Sequence, residues 1–170
     1  CVMKLSPWLK VLALILGFAA TLAAAAPLKI GFAQTGAESA WRTANSESMK
    51  AEAAKRGIDL KFSDGQGKQE NQIRALRSFI AQKVDAIVLA PLVETGWDPV
   101  LRDAKRAGIP VIITDRSIAT TDESLYACFI GSDFLEEGRM AAEWLAKKTG
   151  GKGRIAELQG TPGPAPANDR

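Results

Sequence analysis

Apolar strands and amphipathic helices alternate along residues 28–158, joined by short polar connections, and this alternation constrains the fold more than any single motif. The runs LKIGFAQ (28–34), IDLKFS (58–63), DAIVLA (85–90), PVIIT (110–114), LYACFI (125–130) and RIAEL (154–158) read as strands. IDLKFS alternates apolar and polar residues, whereas DAIVLA is continuously apolar, as in a strand covered on both faces. Helical spacing fills the intervals. One helix runs from about Trp41 to Arg56, stopped by Gly57, and another from Gln69 to Lys83 with Ile73, Leu76, Phe79 and Ile80 on one face. A third spans Thr95 to Gly108 with the stripe Trp97, Val100, Leu101 and Ala104. A fourth opens at Asp133 and Glu136 and runs to about Lys148. Thr95 and Asp98 fit a capping pattern with Pro99 in the first turn, and Asp133 reads as a helix cap. Strand–helix alternation predicts a parallel sheet with helices on both faces, and right-handed crossovers leave the open, doubly wound α/β sheet.

The start of the chain follows a different pattern. A short basic region containing Lys4 and Lys10 precedes the apolar run VLALILGFAATL (11–22) and then small residues at 23–26. This is the three-part organisation of a secretory signal peptide, with cleavage expected after Ala25. The alternative, a retained membrane anchor, is disfavoured because the apolar run is short for a span. Removing residues 1–25 takes Lys4 and Lys10 and no acid. The 22 basic residues become 20 against 19 acidic, and the net charge falls from +3 to +1. The remaining chain has no basic block, so nucleic acid is not indicated as a partner. Its one cysteine, Cys128, lies in LYACFIG and reads as a small buried apolar residue.

In an open parallel sheet, ligands bind beyond the carboxyl ends of the strands. The loops there are TGAESAWR, DGQGKQE, PLVETG and DRSIATTDES. They gather Glu38, Ser39, Asp64, Gln66, Asp115 and Arg116 on one edge, with Trp41 as an aromatic face. Carboxylates that accept from hydroxyls, a forked guanidinium and a ring against a C–H face suit a sugar. Simpler roles stand beside these. Trp41 could be core, because Ala44, Ser48 and Met49 follow it at helical spacing. Glu38 could complement the positive end of the first helix, and Asp64-Gly65 could be a turn. Enzyme signatures are weak. The chain has no histidine, GQGKQ lacks the spacing of a phosphate-binding loop, and no Gly-x-Gly-x-x-Gly follows the first strand. Glu38 and Asp115 could form an acid–base pair, at a separation the sequence does not fix.

The segments PLKIGFAQTGAESAWR, DGQGKQENQIRALRSFIAQKVDAIVLAP, ETGWDPVL, IPVIITDRS and ELQGTPG…NDR together resemble the periplasmic sugar-binding proteins of ABC importers. The broad type is the ribose-binding one, and the similarity is greatest to its galactofuranose-binding branch. The resemblance implies a type I periplasmic binding fold of two α/β lobes that close around a monosaccharide. Residues 1–25 would be the signal peptide, 26–130 the first lobe and 131–170 the truncated start of the second. It also implies that Glu38, Ser39, Ala40, Trp41 and Arg42 form the first binding loop, with Ala40 where a relative carries glycine. Asp115 and Arg116 would form a paired contact, and Arg170 would come from the second lobe. As the last residue, Arg170 is expected to lack a following helix to fix it. The implied protein is a monomeric, non-enzymatic periplasmic receptor without cofactor or metal, and its partner is a membrane permease. An exported sugar-processing enzyme and a sugar sensor for a histidine kinase or chemoreceptor are the alternatives. A cytoplasmic repressor is disfavoured by the export signal.

Overall fold

The sheet builds outward from Lys29–Gln34, the first strand, β1. The computed structural model describes residues 26–158, 160 and 162–170, so the expected signal peptide lies outside the described residues. No helix among the described residues is long and apolar enough to cross a membrane. Helix α1 is Ala40–Lys55, β2 is Asp59–Asp64, α2 is Gln69–Ala81 and β3 is Ala86–Leu89. Helix α3 is Asp98–Arg106, β4 is Val111–Asp115 and β5 is Cys128–Gly131, preceded by a 3-10 turn at Glu123–Leu125. Helix α4 is Phe134–Thr149, and α5 is the short Ala165–Asp169.

The five strands form one sheet in the order β2-β1-β3-β4-β5, and every neighbouring pair is parallel. This is the doubly wound arrangement expected from the alternation: the chain runs outward from β1 to one edge, then crosses back to build the other.

The two faces differ. On one, α2 and α3 bury Leu76, Phe79, Val100, Leu101 and Trp97 against Ala33, Ile87, Leu89 and Ile113. On the other, Phe32, Val88 and Ala90 form a smaller cluster with Met49 of α1 and Leu60 and Phe62 of β2. The α1 face is therefore covered over β1 and β2 but thins out toward β4 and β5. Cys128 pairs in register with Ile112 on that thin side, and it is exposed rather than buried. The strand expected at 125–130 begins only at Cys128 and extends to Gly131, because Leu125 closes the 3-10 turn at Glu123–Leu125, where it is buried against the α2–α3 face.

Two further expectations change. The third helix begins at Asp98, not Thr95, and its N-cap is Trp97, with no side-chain cap bond. The indole instead fills the core at 1% exposure and donates Nε1–H to the Val93 carbonyl at 2.7 Å, so packing of a large ring decides the helix start. The strand expected at 154–158 is absent: these residues have no regular structure, and Ile155 and Leu158 are exposed. A strand is stable only with a ladder partner, and no described strand neighbours this segment. Arg154, Ile155 and Leu158 instead border an apolar hollow with Ala141 and Leu145 of α4. Asp133 caps α4 as expected, accepting from the Glu136 amide at 2.9 Å.

Candidate functional site

Backbone bonds draw the loops at the carboxyl ends of β1 to β4 into one rim. The Gly65 and Gly67 amides each donate at 2.9 Å, to the Gln34 and Thr35 carbonyls, locking the second loop onto the first. The buried Gln72 of α2 braces the third loop: its Nε2 donates to the Ala90 carbonyl at 2.7 Å, and its Oε1 accepts from the Leu92 amide at 3.0 Å. The Ala119 amide then donates to the Glu94 carbonyl at 2.8 Å, joining the fourth loop to the third. Asp64 takes the turn role, its Oδ1 accepting from the Gln66 amide at 2.8 Å.

The centre of this rim is the Asp115–Arg116 pair. Asp115 has φ +67°, and the Arg116 amide donates to the Thr114 carbonyl at 2.8 Å. A bond from residue i+2 back to residue i across a positive-φ centre is a γ-turn of the rare, strained sense. It ends the strand abruptly and turns both charged side chains toward the same rim. Aspartate is one of the few residues that tolerates this backbone region. The opposing strand makes room: a Cβ on Gly131, the register partner of Asp115, would stand 2.7 Å from the Asp115 carbonyl oxygen.

Arg42 is the hub that sequence reasoning placed in the binding loop without foreseeing its depth. It is 4% exposed, in the first turn of α1. Its Nη1 lies 2.6 Å from Asp115 Oδ2, a close ion pair that is misaligned for a hydrogen bond. Its Nε donates to Glu38 Oε1 at 3.2 Å. Its guanidinium carbon is 4.9 Å from the Trp41 ring centroid, a cation–π stack. Trp41 itself is 55% exposed, so the core reading of this residue does not hold. Ser39 is the N-cap of α1, accepting from the Arg42 amide at 3.2 Å, and Ala40 is the exposed first residue of that helix.

Arg116 closes the group. Its Nε stands 3.6 Å from Asp115 Oδ2, and its Nη1 donates to the Leu92 carbonyl at 3.4 Å. Burial holds its pKa below the ordinary arginine value; Arg42 adds to that, while Asp115 and Glu38 oppose it. Among the described residues, Arg116 Nε is a buried donor with no hydrogen-bond acceptor. Such donors are rare unless they serve a purpose.

The structure therefore brings Glu38, Trp41, Arg42, Asp115 and Arg116 into one network. Arg170 sits apart from it. Far from lacking support, it donates to Glu137 Oε2 of α4 at 2.9 and 2.6 Å and lies 4.8 Å from the Phe134 ring centroid. It still acts on Arg116 electrostatically, being one of the charges that lower its pKa. The C-terminal segment also meets the rim directly: the Glu94 amide donates to the Gly163 carbonyl at 3.1 Å, and Asn168 Nδ2 donates to the Glu94 carboxylate.

Sequence reasoning missed Gln34. It ends β1 fully buried, a polar side chain closing an apolar strand just before the first rim loop, and that placement was the available signal. Among the described residues, no group of three or more His, Cys, Asp or Glu is gathered as a metal site would require.

Comparison with known proteins places this rim in context. A family model described as a periplasmic binding protein domain matches residues 30–170. The galactofuranose-binding protein YtfQ of Escherichia coli (strain K12) is 54% identical over 151 residues, which are 88% of this chain and 48% of that protein. The periplasmic binding protein component of the arabinose ABC transporter from Shewanella sp. ANA-3, solved with α- and β-L-arabinofuranose, is 62% identical. It superposes with a TM-score of 0.79 over 83% of this chain and 47% of its own. A Mycobacterium smegmatis protein solved with β-D-fucofuranose is 54% identical, with a TM-score of 0.79 over 84% of this chain and 48% of its own. The chain thus spans about half the length of the relatives it matches. Sheet order, the match across residues 30–170 and identities above one half agree, and the chain belongs to the periplasmic binding protein domain family.

Proposed function

We propose that this chain supplies one wall of a sugar receptor, which captures a monosaccharide in its furanose form and presents it to the membrane permease of an ABC importer. The observation that carries this reading is the Asp115–Arg116 γ-turn. It puts a carboxylate and a guanidinium side by side on a rim, and the buried Nε donor of the guanidinium has no acceptor among the described residues. A carboxylate that accepts from vicinal hydroxyls and a guanidinium that donates to ring and hydroxyl oxygens form a polar grip for a sugar edge. The exposed Trp41 ring offers an apolar cover for C–H groups.

The sugar class follows from the relatives. Three of them are named for, or solved with, galactofuranose, arabinofuranose and fucofuranose. These differ in the arm outside the five-membered ring, so the ring and its hydroxyls are the shared feature that the rim grips. In this reading Glu38, Ser39, Ala40, Trp41 and Arg42 form the first contact loop, Asp115 and Arg116 the floor, and Arg170 approaches from the 131–170 segment as the start of a second lobe. The role is non-enzymatic. Both candidate acid–base carboxylates, Glu38 and Asp115, are committed to Arg42, an arrangement suited to holding charge rather than exchanging protons. The site works in the periplasm, to which residues 1–25 would direct export.

The test is calorimetric titration of a protein of the relatives' full length carrying this chain, with galactofuranose, arabinofuranose and a panel of pyranose-locked methyl glycosides. Saturable one-to-one binding of a furanose, with the locked pyranosides silent and the sugar recovered unchanged, is expected. Tight binding of the pyranosides, or turnover of the sugar, would overturn the reading.

A further inference from the structure

We propose that Gln34 is a positioning residue for the sugar site: it acts through Arg42 and never touches the sugar. The inference rests on the sugar-site reading above. Gln34 is fully buried at the end of β1, on the sheet face that α1 covers. Its two amide ends are used differently. The Nε2 group donates into α1, to Asn45 Oδ1 at 2.8 Å and Ser46 Oγ at 3.3 Å. The Oε1 atom faces the rim, accepting from the Thr35 amide at 3.0 Å and lying 3.5 Å from Arg42 Nη1. Reversing the amide would set its NH2 against two donors, so the surroundings fix one orientation.

That orientation decides where Arg42 points. The Nη1 atom stands between the neutral Gln34 oxygen and the charged Asp115 Oδ2 at 2.6 Å. Asp115 at Nη1 and Glu38, whose Oε1 accepts from Nε at 3.2 Å, would together draw the guanidinium out over the rim. The Gln34 acceptor holds Nη1 back, and the Asn45–Ser46 end anchors that acceptor to the helix that carries Arg42. The result is a continuous relay, Asn45/Ser46–Gln34–Arg42–Asp115, running from a buried helix face to the floor of the cleft. Without it, Arg42 takes more of the Asp115 carboxylate, and less of that carboxylate is free to accept sugar hydroxyls. A glutamine is suited to the place because a second carboxylate there would compete with Asp115 for the same guanidinium.

The experiment is a double-mutant cycle on the full-length protein, with calorimetric affinity for arabinofuranose or galactofuranose as the readout. Gln34→Met, similar in length but without the acceptor, is expected to weaken binding about tenfold, because it removes a buried acceptor beside a charged group. In an Asp115→Asn background the same change is expected to cost less than about twofold, because the carboxylate charge that draws Arg42 has already been removed. A role confined to packing would lower the melting temperature and act equally in both backgrounds, and that result would overturn the proposal. Asn45→Ala, at a half-buried position, covers the case in which Gln34→Met does not fold. It releases the anchored end of the amide and is expected to weaken binding about threefold. Undiminished affinity in that variant would also overturn the proposal. If the parent protein binds no sugar, the sugar-site reading fails first and the positioning role falls with it. If the parent binds and the variants bind as well as it does, only the positioning role fails.

Discussion

Asp115 carries two demands at one residue: a backbone at φ +67° and a carboxylate 2.6 Å from Arg42. Substitutions separate them. Asp115→Ala removes the charged acceptor and places a residue with no local side-chain bond in the left-handed region. It is expected to weaken sugar binding by ~2–4 kcal/mol and to destabilise the fold by ~1 kcal/mol. Asp115→Asn keeps the tolerance for positive φ and one acceptor, so its binding loss should fall between wild type and Asp115→Ala while its melting temperature stays near that of wild type. Calorimetry and a urea titration on the same samples check both. Equal loss of affinity and of stability in the two variants would mean that only the backbone matters here. Trp41 answers a different question. Because it is 55% exposed and stacked on Arg42, Trp41→Ala should cost ~1–2 kcal/mol in sugar binding and little in stability. A large stability loss without an affinity change would return Trp41 to the core.

At the scale of elements, the sheet divides into a well-covered part and a bare one. Leu76, Ile87, Leu89, Leu101 and Ile113 are fully buried between the sheet and α2 or α3. Helix α4, in contrast, presents Leu135, Met140 and Trp144 at 69%, 53% and 62% exposure. Amide exchange on residues 26–170 should therefore show the strongest protection in β1, β3 and β4 and the weakest in α4 and at 151–158, in step with the apolar area each one buries. Uniform protection across the chain would contradict that division.

The same contrast explains what could be read from the sequence. β3, β4, α2 and α3 were legible because each places its apolar residues at the period of its own structure and then buries them; α1, which buries Arg42, Ser46 and Ala53, was legible from Gly57 at its end and from the strands on either side. RIAEL has that period too, but a strand exists only with a neighbour to pair with, and pattern alone does not supply one. Cys128 was misjudged for a related reason: its neighbours in sequence are apolar, but its face of the sheet is thinly covered. In the site, residue types and loop positions were legible at Glu38, Trp41, Asp115 and Arg116. The burial of Arg42 and its link to Gln34 were not, since they join a strand end to a helix face through side chains eight residues apart.

For the molecule as a whole, the proposed function makes the rim formed by β1 to β4 one wall of a two-walled site. Among the described residues, Gly163 and Asn168 meet it at Glu94, and Arg170 is held on Glu137. A sugar gripped between two walls draws a large share of its contacts from each, so one wall with a single opposing arginine should bind far more weakly than the pair. The most direct measurement is calorimetric titration of the same furanose into residues 26–170 and into a protein of the relatives' full length carrying them. The expected result is saturable one-to-one binding by the longer protein and an affinity at least about a thousandfold lower, or ~4 kcal/mol, for residues 26–170. Equal affinities would contradict it, because the wall described here would then be a complete site by itself.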